Sequence, residues 1–118
     1  MHDATELAIA VQLRLNACGL GDPDSLWRAF LEGTFYYQAP QHPGFLAVPT
    51  STGPLIAVFT SYAELERRCG PCRWFSNSGA ELLARAPVGH RYVIDPGSRH
   101  ELVIDPARLR GLAAGPAA

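Results

Sequence analysis

Leu7, Val11 and Leu15 recur at every fourth place, a spacing that lines one helical face, and Asp3 with Glu6 three places on supplies a capping box for that helix. The helix should end in the glycine-bounded stretch from Gly19 to Gly21. Asp22 as N-cap and Pro23 at the first helical position open a second helix, in which Leu26, Trp27, Phe30 and Leu31 repeat the apolar pattern until Gly33 stops it. The two should form an antiparallel pair or a bent arm. From Thr34 the period changes, since Phe35, Tyr36 and Tyr37 are strand formers. Period-two alternation sets Tyr36 on one face of that strand and Phe35 with Tyr37 on the other. Pro40, Gln41, His42, Pro43 and Gly44 then make a loop. Residues 45–48 and 55–59 are short apolar runs separated by a Pro/Thr/Ser/Gly segment, which predicts a hairpin with a loose turn. The second run is apolar throughout and predicts a central strand covered on both faces.

Ser61 with Glu64, and Ser78 with Glu81, repeat the capping-box spacing, so short helices should start after Phe59 and after Phe75. Residues 92–94 and 102–104 read as two final strands around a turn of Asp95, Pro96, Gly97, Ser98 and Arg99. Asp105 and Pro106 would cap a last helix through Leu112. Val93-Ile94-Asp95-Pro96 recurs as Val103-Ile104-Asp105-Pro106, a strand exit used twice rather than a solenoid repeat. The order is helix, helix, three strands, helix, strand, helix, two strands, helix. It predicts a single α/β (α+β) domain with a mixed sheet of five or six strands and helices packed on it. Residues 1–24 form an N-terminal helix region, 25–112 the α/β domain, and 113–118 a tail with nothing to bury.

The chain has 118 residues, 47% of them hydrophobic, enough for one domain to bury roughly two thirds of its unfolded surface. Only 18% are charged and the formal net charge is -1, so the basic excess that phosphate backbones require is missing and no nucleic-acid partner is expected. All ten basic residues are arginine. Without lysine there is no Schiff-base chemistry, no pyridoxal phosphate attachment and no P-loop. No apolar run approaches the roughly 18 residues of a membrane span, and Met1, His2, Asp3 is not the basic start of a secretory leader. A cytoplasmic protein with no membrane contact is the expectation.

Cys69-Gly70-Pro71-Cys72 has the letters of a thioredoxin-type redox motif, in which the first cysteine sits at a helix N-terminus and the dipole stabilises its thiolate. The preceding residues, Tyr62 to Arg68, read instead as a capped helix with cations in its last turn. That places Cys69 at a helix C-terminus, with Gly70 as the left-handed stop and Pro71 after it. Arg67, Arg68 and Arg73 could still lower a thiol pKa, so a thiol-disulfide oxidoreductase using Cys69 and Cys72 is the alternative function. A zinc site would need further ligands from Cys18, His42, His90 or His100, and no second close pair exists among them. No metal or other cofactor is therefore expected. Ser61 lacks a Gly-x-Ser-x-Gly setting, and Asp95 and Asp105 each precede a proline, where local backbone bonding is their expected task. The histidines fall in turns and loops and are expected to be solvated.

Arg73, Trp74 and Phe75 put a cation beside two aromatics on one short strand. On an edge strand one ring would be exposed, which is the composition of an interaction hot spot. Tyr36 raises the same question. Arg73, Trp74, Phe75 and Tyr36 are thus the candidate interaction residues, for an unidentified protein partner or for a homodimer through an edge strand.

Val58-Phe59-Thr60-Ser61-Tyr62-Ala63-Glu64-Leu65, a strand ending in Phe-Thr-Ser and opening a helix, resembles the hallmark of SseB N-terminal-domain proteins. Residues 79–83, followed by Tyr92-Val93-Ile94-Asp95-Pro96-Gly97-Ser98, resemble that family's second helix and its Asn-Pro-Gly-Ser turn, with Asp95 where asparagine is usual. The Cys69 to Cys72 stretch is a further departure. The resemblance spans about residues 26–112 and implies a small bacterial α/β domain, frequent in actinobacteria and often encoded near secretion-system genes. It implies no established enzymatic activity and no catalytic residue. A non-enzymatic protein-interaction or regulatory module is the function expected.

Overall fold

The computed structural model describes residues 4–41 and 44–107, with side chains from residue 8 onward. The expectations placed on Asp3, the Leu7 side chain, His42, Leu112 and residues 113–118 lie outside the described residues. The elements follow the expected order: α1 (Ala4–Ala17), α2 (Pro23–Glu32), β1 (Thr34–Gln38), β2 (Ala47–Val48), β3 (Leu55–Val58), α3 (Tyr62–Cys69), β4 (Trp74–Ser78), α4 (Gly79–Arg85), β5 (Arg91–Ile94) and β6 (Leu102–Ile104). A helical turn begins again at Pro106, and Asp105 Oδ1 accepts from Ala107 N at 3.1 Å.

Six strands form among the described residues, but they divide into two sheets. β1 pairs antiparallel with β4, while β2, β3, β5 and β6 make a four-stranded mixed sheet in that order. The expected hairpin is the antiparallel β2–β3 pair, and β3 runs parallel to β5. Among the described residues one bridge joins the sheets: Tyr36 N donates to Phe59 C=O at 2.8 Å, and Phe59 N returns to Tyr36 C=O at 2.7 Å.

The main core lies on one face of the larger sheet. Ile56, Val58, Tyr92, Ile94 and Ile104 point into it and meet Phe35 and Tyr37 of β1, Phe30 of α2 and Leu82 of α4. α1 contributes Ile9 and Leu13, both fully buried. The face expected from Leu7, Val11 and Leu15 is therefore wrong, since Val11 is 49% exposed. Apolar residues stand on several sides of α1, and packing against α2 selects the Ile9–Leu13 side. β3 is central in pairing but is not covered on both faces. Leu55 and Ala57 are half-buried and floor a groove of about 390 Å³ walled by Arg68 and Cys69 at the end of α3.

The caps that bound α2 and α4 were readable from the chain. Asp22 accepts from Ser25 N at 3.0 Å and Ser25 Oγ at 2.7 Å, and both halves of the Ser78–Glu81 box are formed. At Ser61 only the first half forms: Ser61 Oγ accepts from Glu64 N at 3.1 Å, while the Glu64 carboxylate meets Arg67 at 3.0 Å. Gly79 lies so close to α2 that a Cβ there would stand 1.8 Å from the Phe30 carbonyl oxygen. That approach lets α4 dock on α2.

Candidate functional site

β4 has β1 on one side and no strand on the other among the described residues. The β1–β4 register sets Gln38 opposite Trp74, Tyr37 opposite Phe75 and Tyr36 opposite Ser76. One exposed ring was the expectation for an edge strand, but both are exposed, Trp74 at 44% and Phe75 at 49%. The Trp74 ring meets Tyr36 edge-on at 5.3 Å and Tyr62 of α3 at 5.7 Å, while Phe75 lies on the opposite face, 6.0 Å from Tyr37. Tyr36 is half-buried, with Phe35 and Tyr37 buried on the other face of β1, as alternation requires. Arg73 is exposed at the head of the strand, and its carbonyl accepts from Ala39 N at 2.9 Å.

Tyr62 completes the aromatic cluster and was missed by sequence reasoning. It belongs to α3, and only the return of the chain into β4 brings it over Trp74. A hydrogen bond with Glu66 pushes its phenol pKa up.

The cysteine motif lies where the capping pattern put it. Cys69 is the last residue of α3, and Gly70, with φ 72°, closes the helix by donating its N–H to Glu66 C=O at 2.8 Å. Cys69 and Cys72 are unbonded thiols. Burial pushes the Cys69 pKa up, the neighbouring Cys72 adds to this, and Arg68 opposes it. A thiolate at the negative end of a helix is thus disfavoured rather than prepared. Among the described residues no three of His, Cys, Asp and Glu are gathered as metal ligands would be.

Asp95 does more than local turn bonding, which corrects the sequence expectation. It is fully buried with φ 48°, a left-handed conformation that Asp and Asn tolerate better than most residues. Its carboxylate accepts from Thr60 N at 2.9 Å and Thr60 Oγ1 at 2.8 Å, and lies 2.7 Å from His100 Nε2. His100 is accordingly not a solvated turn residue, its side chain being only 22% exposed. The network ties the end of β3 to the end of β5. It binds Phe59-Thr60-Ser61 and Asp95-Pro96-Gly97-Ser98 to each other. Asp105 keeps the expected local role, Ser61 is an N-cap, and half-buried His90 places Nδ1 3.1 Å from Val88 C=O.

A mixed-sheet α/β domain, with its strand exits clamped by one carboxylate and an aromatic ribbon at its edge, is the class that fold and site define. The chain belongs to the family of the SseB protein N-terminal domain, whose model matches residues 21–111. Comparison with curated proteins and with solved structures gave no match. Among the described residues no helix is long and apolar enough to cross a membrane.

Proposed function

We propose that this domain is a non-enzymatic protein-interaction module whose contact surface is the β1–β4 ribbon, with Trp74, Phe75 and Tyr36 as anchors and Arg73 as the flanking cation. The observation that carries the reading is the exposure of Trp74 and Phe75 together on an edge strand, each ring held by another aromatic. Large rings held in place lose little entropy when a partner covers them, and aromatic residues and arginine dominate interface energetics. Cys69 offers the opposite of what a redox nucleophile needs, a half-buried thiol with a raised pKa at a helix C-terminus.

The test is capture of protein partners from a host lysate by the native chain and by a Trp74→Ala, Phe75→Ala double variant. The variant's fold is checked by circular dichroism. Partners held by the native chain and lost by the variant are expected. Equal recovery by both forms would refute the ribbon as the contact surface.

A further inference from the structure

The hydrogen bonds around β1 fix which backbone groups of β4 are free. Tyr36 spends its N–H and C=O on Phe59, so Tyr36 and Ser76 face each other without bonding. Ala39 N donates to Arg73 C=O, which sets Arg73, Phe75 and Asn77 as the residues whose backbone groups point toward β1. Trp74, Ser76 and Ser78 must then point theirs at the open edge. Ser78 N is already taken by the Glu81 carboxylate at 2.8 Å. Trp74 and Ser76 remain, two residues apart, each presenting a donor and an acceptor.

We propose that this edge pairs with the same edge of a second copy of the chain, antiparallel, with Trp74 opposite Ser76 of the other copy and Phe75 opposite Phe75. The inference rests on reading the β4 ribbon as an interaction surface and names the partner. This is the two-fold register in which every remaining outward backbone group of Trp74 and Ser76 is used, through four interchain N–H to C=O bonds. It sets Phe75 against its own copy at the closely spaced, non-hydrogen-bonded position where cross-strand side chains meet best. Beside Phe75 lies a cleft of about 440 Å³ bordered by Tyr37, Phe45, Arg85 and Pro87, which leaves room for the second ring.

Charge selects the same orientation. Arg73 stands exposed at one end of the strand and the Glu81 carboxylate at the other, against Ser78 N. An antiparallel copy brings Arg73 beside the opposing Glu81 twice, whereas a parallel copy would set arginine toward arginine. The other edges are blunted. β2 has two residues and runs into Pro49, and β6 has three and runs into Asp105 and Pro106. β4 has five residues and contains neither proline nor charge.

Because Phe75 faces itself across the two-fold axis, its charge variants are diagnostic. Sedimentation equilibrium of the native full chain should show a monomer–dimer equilibrium. Phe75→Glu and Phe75→Lys, each folded by circular dichroism, should each weaken it about tenfold or more through like charges directly opposed. An equimolar mixture of the two should recover the dimer. If either fails to fold, Ser76→Pro removes an outward N–H without touching the β1 ladder, and should yield a monomer. A native chain that stays monomeric, variants that dimerise unchanged, or a mixture that does not recover would each overturn self-pairing. A monomeric native chain whose captured partners still depend on Trp74 and Phe75 would overturn this inference and leave the interaction reading standing.

Discussion

Asp95 and Asp105 stand in the same four-letter context and do different work. Asp105 bonds its own turn, whereas Asp95 reaches 35 positions back to Thr60 and also engages His100. Replacing Asp95 by alanine leaves Thr60 N and Oγ1 buried without their acceptor and puts a Cβ-bearing residue with no polar compensation at positive φ. A loss of about 3 kcal/mol in urea unfolding is expected. Asparagine keeps an acceptor for Thr60 N and tolerates the same φ, so Asp95→Asn should cost about 1 kcal/mol or less. A loss well under about 1 kcal/mol from Asp95→Ala would show that the carboxylate's contacts are not what holds the strand exits. The cysteines separate at the same scale. With its pKa raised by burial, Cys69 carries less thiolate near neutral pH than an ordinary thiol. Iodoacetamide followed by peptide mass spectrometry should therefore find exposed Cys18 alkylated before Cys69, and the reverse order would revive the redox chemistry.

Among the elements, α4 depends most on single positions. Gly79→Ala drives a methyl group into the Phe30 carbonyl and should cost on the order of 3 kcal/mol or prevent folding. Ser78→Ala, which removes only the cap, should cost about 1 kcal/mol. Glu81 holds the other half of that cap, and its hydrogen bonds with Ser78 keep its pKa below the ordinary glutamate value. A depressed folded-state pKa gives stability that is present above the unfolded value and is lost as pH falls through the folded one. The stability difference between the native chain and Glu81→Gln should accordingly shrink as acid titrates the carboxylate, and a difference constant with pH would contradict it. These caps, the order of the elements and the stop at Gly70 were legible because each is set within a few residues. What was not legible is long-range. Nothing local to Phe59 announces that it meets Tyr36 through a bridge that joins two sheets, in place of a ladder that would continue one. Tyr62 joins Trp74 only after α3 turns back, and Trp74 and Phe75 are both exposed on a strand that has no outer neighbour among the described residues.

For the whole molecule, the informative comparison is between the family segment and the core. The family match begins at residue 21, yet α1, at Ala4–Ala17, places Ile9 and Leu13 fully buried in the same cluster as Phe30, Phe35 and Ile94. α1 is thus part of the domain's core rather than an arm beside it. The sequence pattern could not settle which side faces inward, because Leu7, Val11 and Leu15 repeat at four just as Ile9 and Leu13 do. Only the presence of α2 breaks the tie. The two sides make opposite predictions for truncation. Leu13→Ala removes three carbons' worth of contact from a site with no solvent exposure and should lower the unfolding free energy by about 2 to 4 kcal/mol. Val11→Ala, at a half-exposed position, should change it by no more than about 0.5 kcal/mol. Denaturant titration of both variants measures the difference directly. If Val11→Ala proved the costlier, α1 would have to pack through its other face, and the core would begin at α2, where the family segment begins.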